Sequence, residues 1–408
     1  MSGPRRPPLA PAALLAIALV PAGVAAQTPD ETPRTSPRYL FGLDVAGTFG
    51  PRDGDAFFNY TDYEHNALRL ARVRLLAEWR ATGRVSFLGE VRTEDGDGAE
   101  AAAAYVRIRP WPDRALTIQA GRIPPVIGAF PRRAYGRDNA LLGTPLAYQY
   151  LTSLRPDAVP ATVDDLLRMR ARGWRPSYPL GTSANGPGVP IVSTSRWGTG
   201  IEAEWRVGWV DAAGAWSLGS PAAPEALDRR AGRQWSGRVG AVLPVGLTAG
   251  VSGARGRWID AEVLALVPAD RRRHATQSVV ALDVEWGEGP WLLRSEWLWS
   301  AFDLPLGPDA AGPIQVGTWS GFVEARRRLH ARWQLAVRAG RLAFSRVQGT
   351  LDEGRRTPWD AGVDRAELAV GFRAGRGVDL RAGWQHNWRA RGRVRERGFP
   401  AVQALVWF

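Results

Sequence analysis

The chain has 408 residues with a formal charge of +13, and every one of its 53 basic residues is arginine. It contains no cysteine, which excludes disulfide scaffolds, thiolate metal sites and cysteine nucleophiles. The hydrophobic content of 45% excludes a wholly disordered chain. The arginines are interspersed with acidic residues rather than clustered, which argues against nucleic acid as a partner.

Residues 1–26 have the pattern of a secretory signal peptide. Two arginines precede an apolar stretch, and small residues lead to Ala26, so we expect cleavage before Gln27. An uncleaved anchor helix is the alternative, which the prolines in the stretch disfavour. We expect a short periplasmic segment, 27–38, and then one folded domain, 39–408.

Beyond residue 38, apolar and polar side chains alternate with period two. Leu282 and Val284, for example, fall on one face, while Asp283 and Glu285 fall on the other. This period predicts strands with one apolar and one polar face, and segments of about ten residues fit a tilted crossing of a bilayer. The sixteen predicted strands are 39–49, 67–80, 83–92, 100–110, 114–122, 199–207, 208–217, 232–242, 246–257, 276–287, 290–301, 317–328, 332–345, 365–374, 377–388 and 399–408.

The connections between these strands alternate between long and short without exception. Seven short turns and eight long loops join sixteen strands, with both termini on the side of the short turns. This is the topology of a bacterial outer-membrane barrel. Closure is expected because an open sheet edge in hydrocarbon would leave backbone groups unpaired. We therefore predict an all-β fold, a 16-stranded antiparallel transmembrane β-barrel with a long third extracellular loop.

Aromatic residues at strand ends support a membrane location. Tryptophan at both interfaces of a bilayer forms girdles, because one part of the indole is apolar and the other tolerates water. The chain ends in an alternating strand with a terminal Phe408, a pattern that predicts recognition by the barrel insertion machinery. The predicted girdle residues are Trp111, Trp205, Trp209, Trp235, Trp286, Trp291, Trp333 and Trp384.

The third long connection, 123–198, is much longer than the others. Loops of this size without regular structure are usually functional. Within it, Val163–Arg172 is predicted to form a short helix that begins with Asp164 and Asp165 and ends with arginines, as the helix dipole favours.

The whole mature chain resembles the bacterial outer-membrane porins. Residues 119–128, with Gly121-Arg122 followed by Pro124-Pro125, are similar to the strand-to-loop passage of the phosphate-selective porins. The chain departs from that family in having an aliphatic pair where Phe-Gly is usual and no lysine to line the pore. The resemblance implies that the third loop folds into the barrel and narrows the pore, and that the protein is a homotrimer.

Charged side chains on the polar faces are predicted to line a water-filled lumen. They could pair with one another and leave a merely wet lumen, or the excess of arginine could favour anions such as phosphate or carboxylates. The predicted pore-lining residues are Arg72, Arg74, Arg107, Arg109, Arg132, Arg133, Arg137, Asp138, Arg206, Arg238, Arg294, Glu296 and Arg338.

Catalytic and metal sites find little support in the sequence. The four histidines share no metal-ligand spacing, and the pair His386-Asn387 lacks the serine context of barrel lipases. The arginine run Arg271–Arg273 in a long loop could face lipopolysaccharide, or could simply be solvated.

The sequence therefore predicts a non-enzymatic channel in the outer membrane, without cofactor or metal, for passive diffusion of small hydrophilic solutes. Its expected surroundings are outer-membrane lipids and lipopolysaccharide. Two alternatives stay open: a barrel hydrolase of the lipase or protease kind, and a plugged barrel with a structural or adhesive role.

Overall fold

The computed structural model describes residues 38–54, 56–61, 65–111, 115–133, 136–194, 197–228 and 232–408, without the side chain of Arg132. The predicted signal peptide, 1–26, and the segment 27–37 lie outside the described residues. Among the described residues, no helix is both long enough and apolar enough to cross a membrane.

Sixteen antiparallel strands form one closed barrel, and β1 pairs with β16 to complete it. The prediction of a 16-stranded barrel is confirmed, with strand ends displaced by up to three residues. The strands are β1 Tyr39–Phe49, β2 Leu70–Arg80, β3 Val85–Glu94, β4 Glu100–Ile108, β5 Ala115–Ile123, β6 Gly198–Val207, β7 Val210–Leu218, β8 Arg233–Val242, β9 Leu247–Arg257, β10 Thr276–Glu288, β11 Trp291–Leu304, β12 Ile314–Arg328, β13 Trp333–Phe344, β14 Val363–Gly375, β15 Val378–Arg389 and β16 Glu396–Trp407.

The two ends of the barrel differ in their connections. We call the end with the connections 81–84 and 208–209 the turn end, and the opposite end, which carries the third loop 124–197, the loop end. The alternation of long and short connections is weakest at loop 95–99, which is only one residue longer than turn 81–84, because β3 extends two residues further towards the loop end than its alternation indicated.

Side chains alternate between an apolar outer face and a polar inner face, as predicted. Leu282 and Val284 are 44% and 45% exposed on the outside, whereas Asp283 between them is 5% exposed on the inside. Aromatic pairs such as Trp79 with Phe87 at the turn end and Trp216 with Trp235 at the loop end face outwards.

One predicted girdle residue is placed differently. Trp384 faces outwards but lies in the middle of β15, opposite Leu368 and Pro400, rather than at a strand end.

At the loop end, the connections pack on one another around an apolar core of their own. Trp258, Phe302 and Trp359 are completely buried there, together with Phe58 and Leu166 from two other loops. Trp359 also donates its indole N–H to the carbonyl of a β12 residue at 2.8 Å. The loops therefore form a folded layer rather than independent projections.

Among the described residues, the α-helices in these loops are α1 Leu146–Gln149, α2 Val163–Arg168 and α3 Ala261–Ala265. The start of α2 was predicted, and Thr162 and Asp165 form a reciprocal capping box there. The helix ends earlier than predicted, and Ala171 then adopts a left-handed backbone conformation (φ 60°) that helices cannot continue.

Candidate functional site: the barrel interior

A row of alternating charges crosses five neighbouring strands of the inner wall. Register pairing places Glu285, Arg294, Glu324, Arg338 and Glu367 side by side from β10 to β14. Arg294 lies 2.6 Å from the Glu285 carboxylate and 3.6 Å from Glu324. Each arginine therefore has a carboxylate on either side, and the row as a whole is close to neutral.

Arg338 shows why arginine suits this wall. Its Nε donates to Glu367 at 2.7 Å, one terminal nitrogen donates to Glu324 at 3.2 Å, and the other donates to the Gly143 carbonyl at 2.6 Å. The planar guanidinium satisfies three acceptors in different directions, which a lysine ammonium on a flexible stem matches poorly. The wall and the third loop are thus joined through one buried side chain.

A second charged connection spans strands β7 to β10. Arg238 donates to Asp211 at 2.7 Å and to Asp283 at 2.7 Å. Its guanidinium occupies the space above Gly240 and Gly250, where a Cβ atom would collide with it. The two glycines therefore allow one arginine to bridge carboxylates on non-adjacent strands.

The start of the third loop is fastened to the wall by Glu296. Its carboxylate accepts the backbone N–H groups of Ala129 at 2.7 Å and Phe130 at 3.0 Å, and the Tyr148 hydroxyl also donates to it. Burial and the nearby carboxylate raise the pKa of Tyr148 well above its usual value, so the phenol stays a donor. The neighbouring Gly128 N–H donates to the Ser252 hydroxyl at 2.8 Å.

Residues 136–144, which we call the loop tip, are held by wall arginines that donate to their backbone carbonyls. These bonds run along strands β11 to β15, so the loop lies against that half of the wall. They are Arg294 to Asp138, Arg338 to Gly143, Arg365 to Thr144, and Arg381 to both Gly136 and Asn139, at donor–acceptor distances of 2.6–3.1 Å.

A cavity remains between the loop tip and the opposite wall. On the wall side, Asp44, Arg72, Arg74 and Arg92 line it, and Arg74 lies 2.5 Å from the Asp44 carboxylate. On the loop side, its lining includes the backbone and apolar side chains of residues 136–144. The third loop therefore lies against β11 to β15 and leaves a cavity beside β1 and β2.

The other predicted lining residues lie at several depths. Arg107 contacts the Tyr105 hydroxyl at 3.2 Å, while Arg109 lies in a turn at the barrel rim, beyond the end of β4. Arg206 faces inwards near the turn end of β6, opposite Asp211. These residues do not contact the third loop in the part of the chain that the structure describes.

Predicted residues within the third loop also separate. Arg133 forms an ion pair with Glu285 on the wall, and burial lowers the pKa of its guanidinium. The charged groups of Arg137 and Asp138 lie 3.7 Å apart and are about half exposed. Asp138 also contacts the wall, but through its backbone carbonyl, which accepts from Arg294. The side chain of Arg132 lies outside the described residues.

Arg294 and Glu296 lie two residues apart on β11 but do not pair with each other. Arg294 pairs with Glu285 on the neighbouring strand, and Glu296 binds loop backbone. Side chains two residues apart on a strand are further apart than partners on adjacent strands.

The pair His386-Asn387 does not form a catalytic unit. His386 faces outwards and lies 2.9 Å from Glu396, while Asn387 is buried inside beside Arg365. Among the described residues, no group of three or more histidine, aspartate or glutamate side chains is arranged to hold a metal ion.

Sequence reasoning missed two important inner-wall arginines, Arg365 and Arg389. Arg365 donates to the carbonyl of Phe58 at 2.7 Å, and Arg389 donates to that of Ala56 at 2.9 Å. Arg365 has the inward parity of Glu367 on β14, and Arg389 has that of Arg381 on β15, but their partners lie more than 300 residues away along the chain.

No protein-family model matches the chain, and no curated protein matches it in sequence. Solved structures do match. An outer membrane protein of Vibrio cholerae, OmpT, gives a TM-score of 0.53 at 10% identity over 91% of this chain and 97% of its own. An anion-selective porin from Comamonas acidovorans gives 0.53 at 11% identity, covering 91% and 99%. OmpF of Salmonella typhi gives 0.54 at 9% identity, covering 91% and 97%. The described chain thus has the closed 16-stranded barrel fold of bacterial outer-membrane porins.

Proposed function

We propose that the protein is an outer-membrane channel for passive diffusion of small hydrophilic solutes, with the third loop narrowing its lumen. The observation that carries this proposal is the third loop fixed against strands β11 to β15, with a cavity between it and the opposite wall that is lined in part by Asp44, Arg72 and Arg74. A porin fold with such a constriction needs no bound cofactor, because solutes cross by diffusion through water.

A preference for anions is the finer part of the proposal. The inner wall carries many arginines, whose guanidinium groups can bind phosphate or carboxylate through two donors. Most mid-barrel arginines already contact carboxylates, as in the row from Glu285 to Glu367, so we expect the preference to be modest. Anion over cation permeability ratios of a few-fold fit this balance better than strict selectivity.

The remaining parts of the proposal concern location and assembly. We propose that residues 1–26 are removed near Ala26 and that the barrel inserts with its loop end outside, among lipopolysaccharide. One of the matching Vibrio cholerae structures is described as a trimer form, and we propose a homotrimer for this chain also. Chemical cross-linking of the purified protein tests that assembly.

Planar-bilayer recording tests the channel directly. We expect stepwise conductance from the purified wild-type protein and a reversal potential in a salt gradient that reports the preferred ion. Ala46 lines the cavity, so Ala46→Trp is expected to lower single-channel conductance several-fold. Ala77→Trp adds the same side chain to the outer face of β2 and serves as the matched control. Absence of conductance steps in the wild type would contradict the proposal.

A plugged barrel with a structural or adhesive role is the second candidate. The apolar core at the loop end favours it, because completely buried side chains such as Trp258 and Trp359 close part of the mouth. The same recording separates the two functions. A correctly folded protein that inserts into the bilayer but conducts no ions would support the plugged barrel.

A further inference from the structure

The turn end of the inner wall carries a group of arginines that lie outside the row of alternating charges from Glu285 to Glu367. Register pairing across β12 to β15 places Arg328, Gln334, Gly371 and Arg381 in one inward-facing row. The Gln334 side chain lies over Gly371, where a Cβ atom would collide with it. A shallow basin lies at this point of the wall, lined by Gln334, Gly371 and neighbouring arginines.

This basin is open to solvent and separate from the cavity beside the third loop. Its cationic lining consists of Arg326, Arg328, Arg332 and Arg373, with His330 at the rim. We call these four arginines the turn-end arginine cluster. Asp379 is the carboxylate among the lining residues.

The charge balance here differs from that in mid-barrel. Asp379 lies 3.2 Å from Arg373 and 3.5 Å from Arg381, so its charge is already shared. Within the described part of the chain, no carboxylate lies within 4 Å of Arg326, Arg328 or Arg332. The cluster thus has a clear excess of positive charge, and its guanidinium groups retain free donors.

Neighbouring strands are about 4.8 Å apart, and Arg373 on β14 lies two strands across and two residues along from Arg328 on β12, so their backbones are about 12 Å apart. Long side chains that converge across this distance can contact one ion of phosphate size from two sides. Guanidinium forks bind two oxygens of a phosphate or carboxylate at once. The geometry therefore matches an oxyanion with several oxygens better than a halide.

We propose that the turn-end arginine cluster is a binding subsite for multivalent oxyanions of the phosphate class. The inference rests on the proposed channel function, since free solutes reach the basin through the lumen. The same chemistry could also be supplied by a phospholipid headgroup, because Trp291 and Trp333 at the barrel rim belong to the lining. The subsite is distinct from the constriction and lies on the opposite side of the third loop from the loop end.

The test titrates the refolded full chain, in a neutral detergent, with inorganic pyrophosphate by isothermal calorimetry. The double variant Arg328→Gln with Arg373→Gln is expected to bind pyrophosphate at least tenfold more weakly than the wild type. Arg341→Gln is the matched control, because Arg341 is exposed on the outer face and pairs with Asp364 at 3.6 Å. We expect its affinity to equal that of the wild type.

A second arm identifies the source of the oxyanion. Nanodiscs of phosphatidylglycerol and of phosphatidylcholine replace the detergent, and retention of phosphatidylglycerol is compared between the wild type and the double variant. Loss of pyrophosphate binding alone assigns the subsite to free solutes, whereas loss of phosphatidylglycerol retention alone assigns it to a lipid headgroup. Equal binding by the wild type and the double variant in both arms would overturn the inference.

Two further readouts keep the result interpretable. If the double variant fails to fold, as judged by heat-modifiable migration in gel electrophoresis, the two single variants replace it, with at least a threefold loss expected from each. Planar-bilayer recording is run in parallel. A wild type that binds pyrophosphate but does not conduct would refute the channel while leaving the subsite intact.

Discussion

Replacement of Glu296 by alanine should release the start of the third loop from the barrel wall. The carboxylate accepts two backbone N–H groups and the Tyr148 hydroxyl, and it is 1% exposed. After its removal, these three donors stay buried without an acceptor until the loop moves. We therefore expect local opening of residues 126–131 while the sixteen-stranded sheet stays closed.

The magnitude follows from the bonds to the charged acceptor. A hydrogen bond to a charged group contributes about 1.5–3 kcal/mol, so the two backbone bonds alone contribute about 3–6 kcal/mol. Since 1.4 kcal/mol corresponds to a factor of ten, protection of this segment against hydrogen exchange should fall at least about 100-fold. Protection of peptides from β2 and β3 should not change.

Hydrogen exchange followed by mass spectrometry measures this effect and does not require that the protein conduct. Glu78→Ala is a suitable control, because Glu78 is also an inner-wall carboxylate but pairs with Arg80 at the turn end, away from the loop. Unchanged protection of residues 126–131 in Glu296→Ala would show that the wall arginines suffice to hold the loop, and the reasoning above would be refuted.

Three other predictions follow from the loops. Gly128 has a φ of 65° and no room for a Cβ, so Gly128→Ala should cost about 2 kcal/mol and lower the thermal unfolding midpoint measured by circular dichroism; an unchanged midpoint would contradict this. Trp359→Ala should destabilise the loop-end layer by about 3–5 kcal/mol and speed its proteolysis at least tenfold, and cleavage at the wild-type rate would argue against a cooperative layer. Burial raises the pKa of the Asp53 carboxyl from 3.8 to about 6, so the folded state binds more protons than the unfolded state between these values. Local stability around Asn59 should therefore be greatest below pH 4 and decline until about pH 6. Exchange rates corrected for intrinsic pH dependence test this, and Asp53→Asn should remove the decline.

The barrel was predictable because its strands obey a local rule. Alternation along Leu282, Asp283 and Val284 identifies both the strand and its inward face. Closure of the sheet follows because an open edge in membrane hydrocarbon would leave backbone groups unpaired. The strand ends were less certain, since β3 and β11 continue beyond their last alternating residues. At those positions, pairing with a neighbouring strand extends the sheet without support from the local pattern.

The partners of the inner-wall charges were not predictable from sequence. Parity placed Arg338 inside, but its contacts with Glu324, Glu367 and Gly143 depend on strand register and on the path of a long loop. The signal missed at Arg365 was of the same kind. Its acceptors, including the Phe58 carbonyl, become neighbours only after the barrel closes.

The folded layer at the loop end has a consequence for how other molecules recognise this protein. Trp258, Phe302 and Trp359 bring segments together that are far apart in sequence, so the outermost surface is a mosaic of several loops. An antibody or phage receptor-binding protein directed at this surface would contact a discontinuous epitope. Linear peptides copied from single loops would then reproduce little of it, and immunogens would need the intact barrel to display it.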